Sequence, residues 1–358
     1  MKRLLIMTHN MAGGGCERVI AQLANRFADW GIACTIVTEY ACESFYPLDA
    51  RVRLMPLLPG GACPSRSIPR AYLALRRLVR RERPDVVLAM PEKVNVWTVL
   101  FLLGSGVPVV VSERNDPRRH PESRVKRLLR ALLYPFARGF IFQTQGAAAC
   151  FSRRIRARAA ILKNPLDAAR LGSPWEGERE KRVVFVGRLE AQKNVPLLIR
   201  AFARFHAAHE EWTLSLYGDG SERAPLEALA RALLPAGAAV FEGARPDVAD
   251  CIRRAGAFAL SSDFEGMPNA LIEAMALGLP CVATDCPSGG CAALIRDGEN
   301  GLLTPAGDEA ALCRALCRLA DEPALAASLG RAARRIADEL DDRRVAGEWR
   351  EYLADCCR

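Results

Sequence analysis

The sequence predicts an α/β fold made of two doubly wound domains that face each other across a cleft, each a parallel sheet with helices on both faces. Three observations predict it. Short, β-branched apolar runs alternate with helical periodicity along almost the whole chain. The composition changes around 164–181, where Asn164-Pro165, Gly172-Ser173-Pro174 and the charged run Glu176–Arg182 read as a linker. Glycine turns stand where strands pass into helices, at Gly13-Gly14-Gly15 and Gly218-Asp219-Gly220. With 358 residues, half of them hydrophobic and a quarter charged, the chain can bury two cores of ordinary size.

The first strand series reads Leu4–Thr8, Cys34–Thr38, Val86–Met90, Val107–Ser112, Gly139–Gln143 and Ala159–Leu162. Apolar residues at helical spacing fill the gaps at Arg18–Trp30, Arg70–Arg81 and Arg124–Phe136. The longest apolar stretch, Val94–Val111, is interrupted by Trp97-Thr98, Gly104-Ser105-Gly106 and Pro108. It reads as helix, turn and strand rather than as a membrane span. The second series starts at Val183–Gly187 and continues through Thr213–Tyr217, Ala239–Glu242, Ala257–Leu260, Pro280–Thr284 and Gly301–Thr304. The stretch 308–357 is helical. In such sheets, ligands gather at the C-terminal ends of the strands.

Met1-Lys2-Arg3 followed directly by the strand-like Leu4–Met7 leaves no room for a signal peptide, so a cytoplasmic protein is expected. The thirteen cysteines are odd in number and contain no C-x-x-C pair, which suits reduced, mostly buried thiols. Cys281, Cys286 and Cys291, five residues apart, fit no zinc pattern. The four histidines show no ligand spacing, and His206 and His209 read as surface positions on a helix. The net charge of +9 is concentrated: residues 114–158 hold twelve Arg/Lys against two acids. That patch implies a polyanionic partner, whether acidic lipid, a diphosphate-bearing acceptor or nucleic acid.

The most informative segment is Asp263-Phe264-Glu265-Gly266-Met267-Pro268-Asn269-Ala270-Leu271-Ile272-Glu273. Pro268 suits a first helical turn, because its missing N–H would have no partner there. The helix predicted over 268–277 then aims unpaired backbone N–H groups at the loop, a ready anion site. Glu265 on the loop and Glu273 a turn and a half into the helix supply carboxylates for hydroxyl groups. A phosphate at the helix start with two hydroxyl-binding acids describes a nucleotide-sugar site; an ordinary loop with one solvated and one capping glutamate has the same spacing. Upstream, Arg188 leaves a strand end and Lys193 precedes the next helix. Fixed there, a guanidinium and an ammonium would stabilise charge growing on a diphosphate leaving group; two solvated loop cations are the plainer reading. Gly14 and Gly15 let a backbone approach a phosphate or sugar, although the loop lacks G-x-G-x-x-G spacing. Gly218 belongs to a second such turn. The chain has no Asp-x-Asp pair to hold a divalent metal on a nucleotide, so no metal and no cofactor are expected.

In combination, Gly187-Arg188…Lys193, Gly218-Asp219-Gly220, Glu265…Glu273 and Asp297-Gly298…Asn300-Gly301-Leu302-Leu303 resemble the signature of retaining glycosyltransferases of family 4, over nearly the whole chain. The resemblance implies the GT-B fold, with Rossmann-like domains at 1–165 on the acceptor side and 166–340 on the nucleotide-sugar side, and a last helix, 341–358, packing back on the first. It implies that Glu265 contacts donor-sugar hydroxyls, Glu273 the ribose, Arg188 and Lys193 the diphosphate, and that Gly266, Met267, Pro268, Asn269 and Ala270 add backbone donors. Many relatives carry a histidine after the fourth N-domain strand. This chain has Ser112-Glu113-Arg114-Asn115-Asp116-Pro117 instead, and is similar to a subgroup that builds bacterial surface glycans and lipid-linked oligosaccharides. Glu113, Arg114 and Asn115 are then candidates for sugar or acceptor contact.

What the resemblance implies is transfer from a UDP-hexose or UDP-N-acetylhexosamine to a glycan or polyprenyl-diphosphate-linked acceptor, with no nucleic acid involved. A nucleotide-sugar epimerase and a non-catalytic sugar-nucleotide binder are the rival readings. In Arg124–Phe136, Val125, Leu128, Leu129, Leu132, Leu133 and Phe136 share one face, and Arg124, Lys126, Arg127 and Arg130 the other. A basic amphipathic helix suits an anionic membrane surface and peripheral attachment to the inner face of the cytoplasmic membrane; a domain helix with its apolar face in the core fits the same pattern.

Overall fold

The computed structural model describes residues 1–58, 67–121 and 123–358. Two compact units form, one from Met1–Pro165 with Leu340–Arg358, the other from Leu166–Glu339. In the first, β1 (Arg3–Thr8), β2 (Ala33–Thr38), β3 (Arg53–Pro56), β4 (Val86–Ala89), β5 (Val109–Ser112), β6 (Gly139–Phe142) and β7 (Ala159–Ile161) alternate with helices. These are α1 (Gly15–Asp29), α2 (Ile68–Glu82), α3 (Glu92–Leu102), α4 (Arg124–Leu133), α5 (Gln145–Ala148) and α6 (Arg153–Arg156). The strands lie in the order β3-β2-β1-β4-β5-β6-β7, all parallel. Leu5, Ile6, Val87, Leu88, Val110 and Val111 are fully buried because helices cover both faces of the sheet. The edge strand β3 has no counterpart in the sequence reading. It is four residues long, has no β-branched or aromatic residue, and ends in Pro56, which an edge tolerates.

The second unit holds β8 (Glu180–Val186), β9 (Thr213–Tyr217), β10 (Ala239–Gly243), β11 (Ala255–Leu260), β12 (Cys281–Asp285) and β13 (Leu302–Pro305). Their order is β10-β9-β8-β11-β12-β13, again parallel. Its helices are α7 (Val195–His206), α8 (Arg223–Leu233), α9 (Val248–Ile252), α10 (Asn269–Ala276), α11 (Glu309–Asp321), α12 (Pro323–Ala333) and α13 (Ile336–Glu339). The expected linker overlaps this sheet: β8 already begins at Glu180, because Arg182 finds Tyr217 Oη at 2.9 Å and the Cys251 carbonyl at 2.8 Å. His206 is not a surface residue. It is buried against Phe202, and its Nδ1 lies 3.0 Å from the Trp212 carbonyl.

The last helix, α14 (Asp342–Cys356), belongs to the first unit. Trp349 is fully buried and donates from Nε1 to the Lys163 carbonyl at 3.0 Å. Tyr352 accepts from the Phe140 N–H at 2.7 Å and donates to the Arg158 carbonyl at 2.6 Å. Gly139 opens β6 because a Cβ there would stand 2.6 Å from the Tyr352 hydroxyl.

Candidate active site

Each sheet reverses its winding once, between β1 and β4 in the first unit and between β8 and β11 in the second. Loops leaving adjacent strands diverge at such points and open a crevice. In the second unit the two loops concerned are Gly187–Asn194 and Ser261–Pro268, the segments that carry Arg188, Lys193 and Glu265.

Backbone and side-chain bonds tie these loops together. The Asp263 N–H donates to the Gln192 carbonyl at 3.0 Å, and Gln192 Nε2 donates to the Phe264 carbonyl at 2.8 Å. Ser261 Oγ donates to the Lys193 carbonyl at 2.9 Å. Asn194 takes the left-handed conformation, φ 43°, caps α7 with its side chain and donates to Asp263 Oδ1 at 2.7 Å. The result is a direct ion pair: Lys193 Nζ donates to Glu265 Oε1 at 2.5 Å, with side chains 14% and 7% exposed. Ser262 Oγ donates to the same oxygen at 2.5 Å, and Ser288 Oγ donates to the Glu265 carbonyl. The resemblance gives Lys193 and Glu265 separate duties, toward the diphosphate and the donor sugar, and nothing in their spacing predicts that they pair. Ser262, Ser288, Gln192 and Asn194 were also unrecognised; of these only Asn194, ahead of Val195-Pro196, carried a local signal, that of a helix cap.

Gly266, Met267 and Pro268 are buried, and Asn269 and Ala270 are half-buried at the start of α10. Pro268 precedes that helix rather than opening it, and no side chain caps the helix start. The N-terminal end of a helix favours an anion through its backbone dipole. Glu273 is buried in α10 at 7% exposure. Arg188 is exposed and has no ion-pair partner among the described residues. Gly218, at φ 134°, has a packing reason of its own, since a Cβ there would stand 1.9 Å from the Gly187 carbonyl oxygen; one on Gly220 would stand 2.3 Å from that of Leu189. The turn after β9 thus braces the loop bearing Arg188, and the Leu189 N–H donates to the Asp219 carbonyl at 2.9 Å.

In the first unit, Gly14 at φ 152° precedes α1, and its carbonyl accepts from Tyr46 Oη at 3.1 Å. Gly15 opens the helix. Of the residues read as sugar or acceptor contacts, Asn115 is half-buried and Arg114 donates to Asn164 Oδ1. Burial holds the Arg114 guanidinium below its ordinary pKa. Glu113 points inward and is 2% exposed. Tyr134 Oη donates to its Oε1, Arg130 Nη1 stands 3.6 Å from its Oε2, and Asn95 donates to Tyr134 Oη at 3.2 Å. Burial, above all, raises its pKa to about 7; Glu92 adds to the rise and Arg130 opposes it.

Arg130 therefore departs from the expected basic face of α4. Its guanidinium turns into the unit and donates to the carbonyls of His120, at 2.8 Å, and Pro117, at 2.9 Å. Arg124 and Lys126 remain exposed, and Arg127 is half-exposed. The apolar face also divides. Leu133 is buried and Leu129 packs on the core, whereas Val125, Leu128, Leu132 and Phe136 are 59–66% exposed. Among the described residues, no helix is long and apolar enough to cross a membrane.

Residues 13–170 match the family model described as Glycosyltransferase Family 4, and residues 180–322 the model described as Glycosyl transferases group 1. Over 366 residues the chain is 25% identical to the GalNAc-alpha-(1->4)-GalNAc-alpha-(1->3)-diNAcBac-PP-undecaprenol alpha-1,4-N-acetyl-D-galactosaminyltransferase of Campylobacter jejuni, covering 99% of both chains. A Salmonella typhimurium lipopolysaccharide 1,6-galactosyltransferase is 37% identical over 155 residues, 41% of this chain and 42% of that one. The crystal structure of Anabaena HepE with UDP and glucose superposes with a TM-score of 0.83 at 18% identity, over 99% of this chain and 100% of that one, a likeness of fold.

Proposed function

The chain is a glycosyltransferase of the family 4 type with the GT-B fold, and from that premise we propose that it is a retaining, metal-independent enzyme. In this reading it moves a sugar from a UDP-hexose or UDP-N-acetylhexosamine to a polyprenyl-diphosphate-linked glycan during assembly of a bacterial surface glycan. The observation that carries the proposal is the buried Lys193–Glu265 pair at the switch point of the second sheet, on the same loops as exposed Arg188 and the uncapped start of α10. The C. jejuni relative, named for an undecaprenol-linked acceptor, and the UDP-bound Anabaena structure support the choice of acceptor and donor.

The residues divide the work by charge. Lys193, Arg188 and the N–H groups at the start of α10 take the diphosphate, where negative charge grows as the bond to the anomeric carbon breaks. Glu265, held by Lys193 and Ser262, accepts from sugar hydroxyls and positions that carbon. Glu273 serves the ribose. The breaking C–O bond leaves its electron pair on the diphosphate, the acceptor oxygen bonds to the same face of the anomeric carbon, and the acceptor proton passes to a diphosphate oxygen. The first unit takes the acceptor. Exposed Val125, Leu128, Leu132 and Phe136, with Arg124, Lys126 and Arg127 beside them, seat α4 on an anionic inner-membrane surface.

Incubation with a panel of UDP- and GDP-sugars, with mass detection of released nucleotide and product, tests the donor. Proton NMR of the new linkage tests retention. Exclusive use of GDP-sugars, inversion, loss of activity in EDTA, or release of an epimerised sugar would each overturn the corresponding part. Flotation with vesicles containing phosphatidylglycerol tests the membrane part: binding should fall at high salt and when Leu128 and Leu132 become Ser. Equal flotation with neutral vesicles would refute it.

A further inference from the structure

The C-terminal edge of the first sheet carries a polar pair that the roles above leave unused. His9 and Glu39 follow the last residues of the neighbouring strands β1 and β2, and His9 Nδ1 lies 2.5 Å from Glu39 Oε2. Tyr40 meets the His9 ring edge-on with centroids 5.0 Å apart. The Glu39 N–H donates to the carbonyls of Thr8 and His9, each at 3.1 Å, so the carboxylate sits on a fixed backbone. Glu39 also lines a cavity of about 40 Å³ walled by Met7, Leu57, Leu75, Val94, Trp97 and Phe101. Among the described lining residues Glu39 alone is charged, and the Thr98 hydroxyl is already engaged with the Val94 carbonyl at 2.9 Å.

The apolar walls of this void lack partner atoms on one side. A carboxylate only accepts hydrogen bonds, and its two oxygens offer more sites than His9 fills. A complementary ligand therefore donates an N–H or O–H at the rim and carries a small apolar group, a methyl in size, beside it. A plain hexose supplies the donor and leaves the void empty; a prenyl chain is far too large for it.

We propose that His9, Glu39 and the adjoining cavity form an acceptor subsite selective for an N-acetylated sugar. The acetamido N–H donates to Glu39, the acetyl methyl enters the cavity against Trp97 and Phe101, and His9 takes a neighbouring hydroxyl. The subsite rests on the glycosyltransferase reading, because it assigns the acceptor's chemical class.

The test pairs binding with turnover. Saturation-transfer NMR on the full chain compares the methyl glycosides of N-acetylglucosamine, N-acetylgalactosamine, glucose and galactose. Transfer assays compare alkyl-diphosphate acceptors ending in the same four sugars, and UDP release without acceptor is followed in parallel. Filling a hydrophobic pocket with one such carbon group is worth about 10–200-fold in discrimination, so an acetamido preference of at least about 10-fold is expected, with saturation strongest at the acetyl methyl. Val94→Leu, which fills the void, and Glu39→Gln should each bring the ratio toward one. A ratio within a single variant is unaffected by any loss of folded protein. UDP release with no acetamido preference, or a preference unchanged in both variants, overturns the subsite. An acetamido preference in binding without use of any nucleotide sugar supports the subsite and overturns the transferase reading instead.

Discussion

Glu265→Ala removes the anion that neutralises Lys193, and its cost follows from the geometry. The ammonium is 14% exposed and the carboxylate 7%, so water replaces little of the lost partner. Breaking a buried pair from one side costs about 3–5 kcal/mol, because the other charge stays behind. Ser262 Oγ, 2.5 Å from the same oxygen, loses its acceptor, adding about 1 kcal/mol. The residual exposure of Lys193 argues for the lower end, about 4 kcal/mol in all. At about 2–4 °C per kcal/mol for a unit of this size, the melting temperature of the second unit falls by about 8–16 °C. Glu265→Gln keeps an acceptor for Ser262 and falls less, and Lys193→Met combined with Glu265→Gln recovers part of the loss. Ligand linkage adds a second readout. UDP at a hundred times its dissociation constant stabilises by about 2.7 kcal/mol. With Glu265→Ala, the diphosphate should be the only strong anion facing Lys193, so at equal UDP concentration the thermal shift exceeds the wild-type shift. With Lys193→Met it shrinks. Thermal unfolding followed by circular dichroism, with and without UDP, measures both. A Glu265→Ala protein melting within 2 °C of wild type, or equal UDP shifts in all variants, would refute the reasoning.

Arg188→Ala should leave stability within about 0.5 kcal/mol, since the side chain is exposed, yet lower turnover about 10–100-fold by removing a charge-assisted bond to the leaving group; steady-state kinetics beside a melting curve separates the two. Gly220→Ala places a Cβ 2.3 Å from the Leu189 carbonyl oxygen and should cost about 1–3 kcal/mol in urea unfolding of the second unit. Burial pushes the Glu113 carboxyl up to about 7 from an ordinary value of about 4.5, so between these pH values the folded chain holds a proton that the unfolded chain has released. Stability of the first unit therefore falls, by up to about 3 kcal/mol, as pH rises from about 4.5 through 7, and levels above that. Glu113→Gln should flatten that part of the profile, as measured by denaturation at a series of pH values.

Much of the fold is legible in the chain because its causes are local. A parallel strand buried on both faces must be a short run such as Val109–Ser112, and an amphipathic helix must repeat as 70–81 does. The Pro268 turn and the Arg188, Lys193, Glu265 and Glu273 spacing are local too, since a strand end, a loop and a helix start place them. What the tertiary structure decided depends on partners distant in sequence. β3 exists because β2 offers an edge to a four-residue run with no strand signal of its own. Gly218 and Gly220 are explained by carbonyls 31 residues upstream of each. Arg130 looks like one more cation on a basic helix, yet the carbonyls of Pro117 and His120 draw it inward. His9 and Glu39 are 30 residues apart and become a pair because parallel strands bring their C-terminal ends side by side. Periodicity is a property of the segment and can be read from it; charge pairing and close backbone approach are properties of two segments, and only the packed sheet brings those together.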